Sequence, residues 1–423
     1  MSAEKVLIIG GGIAGLAFAN GCKKYGIPFH VYEKDRTEAY RAQGYRIRIG
    51  GPAIAALKYL LSEEAYHDFD LSTADIRVAD IPEIDAETGN VVEPEVSEQV
   101  RADLNKQFES SNGKPMGWCV DRSNFRAVMI KHLDSEDISY DKVLESYEET
   151  SDGVVAHFAD GTEASGTLIV GAEGRGSKVR SKLVPELQIV DSGMKCLYGK
   201  TPITDELLKA VIPAANERLS FIKDRTHEEL AICGLEPITF PHRQELEQRG
   251  LSSPPDYIFW AMNATPMALG FRTDEKRYLS PEESEQRALE VSEKWAPGLR
   301  AVIEHQQKGE TSVFGLTVTN TQLPVWESNK RATVMGDCIH PMAPTGSGAV
   351  MALNDARLLC EALTGQGFTQ SAIRSYEQQM REAANKAIPV SWGMLQQLTS
   401  MTKSNEKHMG QMAMTIRAKN VQR

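Results

Sequence analysis

The sequence predicts an α/β fold in which a Rossmann-like, dinucleotide-binding unit carries an inserted β-sheet domain and closes with C-terminal helices. Three observations predict it. Residues Lys5 to Lys24 read as an apolar strand, a glycine-rich turn and an amphipathic helix. Two later strands, Leu168 to Val170 and Ala332 to Met335, each run into another glycine-rich loop. Between Met194 and Leu269 the chain offers a succession of short strand-like runs.

Composition sets the outer limits. The 423 residues suffice for two to three domains at about 150 residues each. With 41% apolar and 25% charged residues, disorder and fibrous folds are excluded. The 47 Lys and Arg against 58 Asp and Glu give a net charge of -11, so no global positive field draws in nucleic acid or an anionic membrane. The six cysteines, Cys22, Cys119, Cys196, Cys233, Cys338 and Cys360, lack the close spacing of a disulfide framework or zinc site. A reducing, cytoplasmic setting is expected. No run reaches the roughly 18 apolar residues of a membrane-spanning helix, and glycines interrupt the apolar stretch after Val6 that could resemble a leader.

In chain order, a strand at Lys5 to Ile9, a turn at Gly10 to Gly12, a helix at Ile13 to Lys24 and a strand at Ile27 to Glu33 form a βαβ unit. Pro52 to Leu61 is helical. Ile76 to Val92 alternates around Glu87 to Asn90 as a hairpin, Asp121 to Leu133 is helical, and Val154 to Phe158 pairs with Thr167 to Val170 across Asp160-Gly161. Strands follow at Lys195 to Gly199, Ser220 to Ile222, Leu230 to Leu235, Tyr257 to Asn263 and Ala268 to Arg272. A helix over Ser280 to Trp295 starts at Ser280-Pro281-Glu282-Glu283, with proline in its first turn and acids facing the dipole. Helices at Ala349 to Leu363 and Ser371 to Ala387 precede Pro389.

The chemistry begins at Gly10-Gly11-Gly12-Ile13-Ala14-Gly15, which fits GxGxxG between strand and helix. Gly10 allows the turn, Gly12 lets the backbone approach a pyrophosphate, Gly15 lets helix and strand pack, and the helix start faces the anion. Glu33, followed by Lys34, ends the second strand 18 residues after Gly15, where an acid can bond a ribose diol. An acid there favours FAD or NAD over NADP.

The segments Gly171-Ala172-Glu173-Gly174-Arg175-Gly176-Ser177-Lys178-Val179-Arg180 and Gly336-Asp337-Cys338-Ile339-His340-Pro341-Met342-Ala343-Pro344-Thr345-Gly346-Ser347-Gly348 decide between those cofactors. They resemble the DG and GD motifs of the class A FAD-dependent aromatic hydroxylases, the group of p-hydroxybenzoate and salicylate hydroxylases. With the helix start Arg122-Ser123-Asn124-Phe125, matching segments run from about residue 5 to residue 363. The resemblance implies a Rossmann-like FAD-binding domain at 1–75, 100–185 and 275–390, an inserted β-sheet substrate domain at 76–99 and 186–274, and a C-terminal helical tail at 391–423.

It also implies roles. Gly336 and Asp337 contact the ribityl chain, and Gly346, Ser347, Gly348 and Ala349 open a helix whose amides stabilise negative charge on the reduced ring. Pro344 is a wall beside the ring, and Arg122 meets the ribityl and phosphate region. One of Arg41, Arg46 and Arg48 touches the isoalloxazine edge, and Arg180 falls where the family has arginine. Glu173 stands where the family usually has aspartate, and Val350 replaces an asparagine. His340 is expected as a hydrogen-bonded residue beside the cofactor. For the substrate, Tyr198 offers a hydroxyl to a phenol or sits half-buried on its strand, while Trp260 and Met262 line a pocket or fill the core.

The implied activity is an FAD-dependent monooxygenase in which NADPH or NADH reduces the flavin, O2 forms a C4a-hydroperoxide, and one oxygen passes to an aromatic or other electron-rich hydrophobic small molecule. A flavin oxidase or dehydrogenase, and a redox-dead FAD-binding or metabolite-binding protein, are the alternatives on the same fold. The lack of a second GxGxxG and of a close cysteine pair argues against reductase-type relatives, and the lack of a WxWxIP segment argues against halogenation. The Met-rich, basic stretch after Trp392 is expected to pack back as a helix.

Overall fold

Three short runs, Val6–Ile9, Leu168–Gly171 and Ala332–Val334, have no polar face to show to water, and such strands belong inside a parallel sheet covered on both sides. In the computed structural model, which describes residues 4–36, 46–75, 81–92, 118–225, 230–271, 279–319, 322–343 and 346–400, they lie side by side. The parallel sheet has the order Ala332–Val334, Leu168–Gly171, Val6–Ile9, Phe29–Tyr32 and Ile138–Ser139. Its register aligns Ile9 with both Gly171 and Tyr32, and Gly171 with Val334. The residues just past that row therefore leave the sheet together at its carboxyl edge, where the strand order reverses and open α/β sheets bind ligands.

Helix Ile13–Tyr25 follows the first strand and ends at Gly26 in the left-handed region (φ 68°), which glycine adopts without strain. Helix Ser347–Gln366 packs beside it, and helix Gln370–Ser400 beyond that. One large apolar core, including Leu7, Ile8, Phe18, Phe125, Leu353 and Tyr376, fills the space between these helices and the sheet.

A seven-stranded sheet forms the second layer, in the order Ser312–Val318, Val190–Pro202, Tyr257–Ala264, Leu230–Ile238, Ser220–Lys223, Glu83–Asp85 and Val91–Val92. Residues paired across antiparallel strands share a face, so the register sorts its side chains. Leu197, Met262, Trp260, Cys233 and Leu235 lie on one face, in a core closed by Ala288, Val291, Leu299 and Val302. Tyr198, Ala261, Phe259, Phe314 and Leu316 lie on the other, packed with Ala343, Trp392 and Leu395. Two small sheets complete the fold: Glu163–Gly166, Val154–Phe158 and Leu144–Glu149, and Arg46–Ile49, Trp118–Asp121 and Thr73–Ala74.

Several expectations are corrected. Val154–Phe158 pairs with Glu163–Gly166, not with Leu168–Gly171, because the fully apolar second run is taken by the parallel sheet. Ala268 begins no strand: Met267–Leu269 is one 3-10 turn, ended by Gly270 at φ 68°. The last long helix continues through Pro389 to Ser400, its inner face held by Ile388 and Leu395 in the two cores. Segment 281–318, grouped from sequence with the cofactor unit, packs its apolar residues against the seven-stranded sheet and adds strand Ser312–Val318 to it. The helix expected after Ser280 begins at Pro281, and Ser280 and Glu283 close a capping box there. Among the described residues no helix is long and apolar enough to cross a membrane.

Candidate active site

The loops that leave the carboxyl edge of the parallel sheet meet one another. Gly10, at φ 113°, lies so close to the next loop that a Cβ would stand 2.5 Å from the Ala172 carbonyl oxygen. A Cβ on Gly15 would stand 2.0 Å from the Gly10 oxygen. At Gly12 the nearest atom would be 4.0 Å away, which leaves a cradle open above the helix start. Helix Ile13–Tyr25 has no side-chain cap and no acid in its first turn, so its leading amides and dipole are free for an anion. Ile13 and Ala14 border this cradle, partly exposed.

Glu33 is buried beside it. Its Oε2 accepts the Gly11 amide at 2.5 Å and its Oε1 the Asp35 amide at 2.9 Å. Each oxygen keeps a lone pair for a ribose hydroxyl. Lys34 is exposed next to it.

Glu173 serves the start of the helix that follows its loop. Its Oε1 accepts the amides of Lys178 (2.8 Å) and Val179 (3.3 Å), so the carboxylate caps helix Lys178–Leu183. Burial raises its pKa, with the Ser177, Val179 and Lys178 hydrogen bonds opposing. Arg180 turns back onto its own loop, donating to the Arg175 carbonyl at 3.0 Å. Cys338 joins the two motif loops, accepting the Gly174 amide at 3.0 Å through Sγ. All six cysteines are free and buried, and burial pushes the Cys119, Cys196 and Cys360 thiols up to about 12. None is poised as a thiolate.

The Gly336 turn, at φ 61°, fits where a Cβ would crowd Ala352 (3.2 Å) and Ala14 (3.4 Å). It presents Asp337, whose side chain keeps solvent access among closely packed protein. That packing raises its carboxyl above the ordinary aspartate range, against the positive charges of His340, Arg175 and Arg122. Gly346, at φ 92°, leads into helix Ser347–Gln366, which also has no side-chain cap; Ser347, Gly348 and Ala349 are partly exposed there. An extended ligand with a diol end, a phosphate middle and a hydroxylated chain matches Glu33, Gly12 and Asp337 in turn, so the residues present fit FAD. Pro344 and Arg41 lie outside the described residues.

Arg122 is the first residue of helix Arg122–Lys131, capped by Asp121 through the Ser123 (2.9 Å) and Asn124 (3.2 Å) amides. One turn on, Arg126 donates to the Gly11 carbonyl at 3.0 Å. Sequence reading missed Arg126, although its i+4 spacing from Arg122 was the available signal. Arg48, expected at the ring edge, is engaged by the buried carboxylate of Glu236, which also holds Arg46 at 2.5 Å. Arg46 lies over the Phe259 ring at 5.2 Å.

Tyr198 sits on the sheet face that meets Ala343, edge-on to Phe314 with centroids 5.7 Å apart. Trp260 and Met262 face the other way and belong to the second core; the Trp260 indole donates to Thr201 at 3.2 Å. Sequence reading did not single out Phe259, Ala261 and Phe314, which are partly exposed on the Tyr198 face.

Comparison with known proteins agrees with this geometry. Residues 3–241 match the family model described as FAD binding domain. The chain is 33% identical over 403 residues to the dual O-methyltransferase/FAD-dependent monooxygenase CTB3 of Cercospora beticola, covering 90% of this chain and 45% of that protein. It is 31% identical over 418 residues to the dual O-methyltransferase/FAD-dependent monooxygenase elcB of Phaeosphaeria nodorum, covering 93% and 43%. The chain thus spans less than half the length of these relatives. Among solved structures, a protein assigned as an FAD-containing monooxygenase from Photorhabdus luminescens superposes with a TM-score of 0.72 at 25% identity, covering 93% of this chain and 98% of that one. The chain belongs to the FAD binding domain family, and its cofactor is FAD.

Proposed function

We propose that this protein is an NAD(P)H-consuming monooxygenase that inserts one oxygen atom from O2 into an aromatic, electron-rich small molecule. The observation that carries the reading is the meeting of two surfaces. The Asp337 turn and the start of helix Ser347–Gln366 border the cofactor cradle, and Ala343 between them packs on the partly open face of Tyr198, Phe259, Ala261 and Phe314.

FAD, when bound, supplies hydride acceptance from NADPH or NADH and activation of O2 at its C4a carbon. The protein's residues do the rest. Glu33 and the amides that follow Gly12 would hold the adenosine and pyrophosphate, and Arg122 and Asp337 would hold the ribityl end. The uncapped amides at Ser347 and Gly348 stabilise charge that develops on the ring. The apolar sheet face orients the substrate and excludes water, so little side-chain acid–base work is required.

The substrate class follows from the face and from the relatives' names. Aromatic side chains around the small Ala261 suit a flat ring. Two relatives combine monooxygenation with O-methylation, whose acceptor is an oxygen nucleophile such as a phenol. We infer phenolic aromatics. Anaerobic mixing of the FAD-loaded protein with NADPH or NADH, with and without a panel of phenols, followed by oxygen, tests this. Bleaching of the flavin and an oxygenated product are expected. Failure of both nucleotides to bleach it under every condition would overturn the monooxygenase reading in favour of an oxidase or a redox-inert binder.

A further inference from the structure

Beneath the Asp337 turn lies an ion pair closed to solvent. His340 and Asp355 are both fully buried, with His340 Nε2 2.6 Å from Asp355 Oδ2. The same oxygen accepts the Gly336 amide at 2.9 Å. The Gly336 carbonyl in turn accepts the amides of Ile339 (3.0 Å) and His340 (3.1 Å). The turn is closed on itself and then fastened, through one carboxylate oxygen, to helix Ser347–Gln366. Asp355 lies roughly 12 Å along that helix from Ser347, at 1.5 Å per residue. It therefore ties the backbone that carries Asp337 to the element whose first turn faces the same cleft.

Burial alone opposes charge on His340, but the Asp355 and Asp337 carboxylates outweigh it and hold its pKa above the ordinary histidine value. A buried ion pair is weak evidence for added stability, because apolar residues of similar size serve as well. Its geometry is what is specific here: the hydrogen bond that Asp355 makes beyond His340, among the described residues, goes to the backbone of the Gly336 turn.

We propose that Asp355 and His340 are positioning residues for the cofactor, fixing the Asp337 carboxylate relative to the Ser347–Val350 amides. The proposal rests on the FAD reading of the cleft. Neither side chain touches FAD; both act through Asp337.

Equilibrium titration of the apoprotein with FAD, followed by flavin fluorescence, tests it on Asp337→Ala, His340→Gln, Asp355→Asn and two double variants. Asp355→Asn and His340→Gln are each expected to weaken FAD binding by about tenfold or more, the scale of one charge-assisted hydrogen bond. In Asp337→Ala the further change Asp355→Asn should add nothing. In Glu33→Gln, at the far end of the dinucleotide, it should add in full. A merely structural role would weaken both backgrounds equally, and that result overturns the proposal. So does unchanged affinity in both single variants while Asp337→Ala loses FAD. Full FAD retention by Asp337→Ala would instead overturn the placement of the cofactor itself. Should Asp355→Asn fail to give a cooperative thermal transition, His340→Gln carries the same comparisons.

Discussion

Lys200 donates to Asp121 Oδ2 at 2.6 Å, while the other oxygen of that carboxylate caps the helix that begins with Arg122. One buried side chain thus joins the seven-stranded sheet to the helix that begins at Arg122. The Tyr257 hydroxyl adds a fourth donor at 3.1 Å, and burial together with the Asp121 charge raises its pKa well above the ordinary tyrosine value, keeping it protonated. Replacing Lys200 by Met leaves a buried carboxylate with neutral donors only. The expected cost is about 3 kcal/mol, because removing one partner strands the other charge. Urea unfolding of Lys200→Met measures it, and Lys200→Arg should recover part of the loss. A midpoint equal to that of the unaltered protein would show that the two layers are held by other contacts.

The three glycines of the first turn should separate fold from binding. Gly15→Ala forces a Cβ onto the Gly10 carbonyl, so it is expected to destabilise the protein by about 1–3 kcal/mol or more. Gly12→Ala meets only the Ala172 oxygen among the described residues, at an unstrained 4.0 Å. Its apoprotein should melt as the unaltered one does, but FAD affinity should fall by about tenfold or more, since the methyl group occupies the cradle. Thermal unfolding and FAD titration on the same two variants decide the matter; normal FAD binding by Gly12→Ala would move the pyrophosphate elsewhere.

What the sequence made legible was local. GxGxxG, Glu33 and the Gly336-Asp337 turn are each contained within a few residues of a strand end, and parallel register brings strand ends together without further instruction. The links between loops were not legible, because Cys338 meets Gly174, Asp355 meets Gly336 and Lys200 meets Asp121 across long separations. The hydrogen bonds of Glu173 to the Lys178 and Val179 amides were not legible either, because a carboxylate just before a helix start serves the helix as readily as a ligand. Pro389 was read as a terminator, but packing of Ile388 and Leu395 outweighs the one lost backbone bond. Trp260 and Phe259 posed a harder problem, since both faces of their strand are apolar and alternation alone does not say which one packs toward Ala343 and Trp392.

That assignment yields opposite outcomes for neighbouring residues. Trp260 is fully buried in the second core, so Trp260→Ala should cost about 3–5 kcal/mol in unfolding. Ala261, partly exposed on the opposite face, should accept Leu with a change of less than about 1 kcal/mol in stability. Ala261→Leu should nevertheless raise KM for a phenolic substrate, because the added methyl groups fill the space beside Tyr198 and Phe259. Unchanged KM across the phenol panel would place the substrate away from this face.

The pH dependence of stability should carry a signature from His30, on the strand next to Val6–Ile9. Burial, aided by the charge of Lys5, lowers its pKa to about 4 from the ordinary 6.5, and its Nε2 lies 2.8 Å from Ser139 Oγ. Between those two values the unfolded chain binds a proton that the native protein refuses, so stability rises with pH across the window. The contribution is complete above about pH 6.5 and is lost as pH falls toward about 4. From about pH 7 to about pH 5 the loss should be about 2 kcal/mol from this group. Denaturant unfolding at the two pH values, compared with His30→Gln, isolates it: the variant should lose that much less on acidification. An identical pH slope in the two proteins would mean that His30 takes up its proton in the native state, and that the edge of the parallel sheet is open to water there.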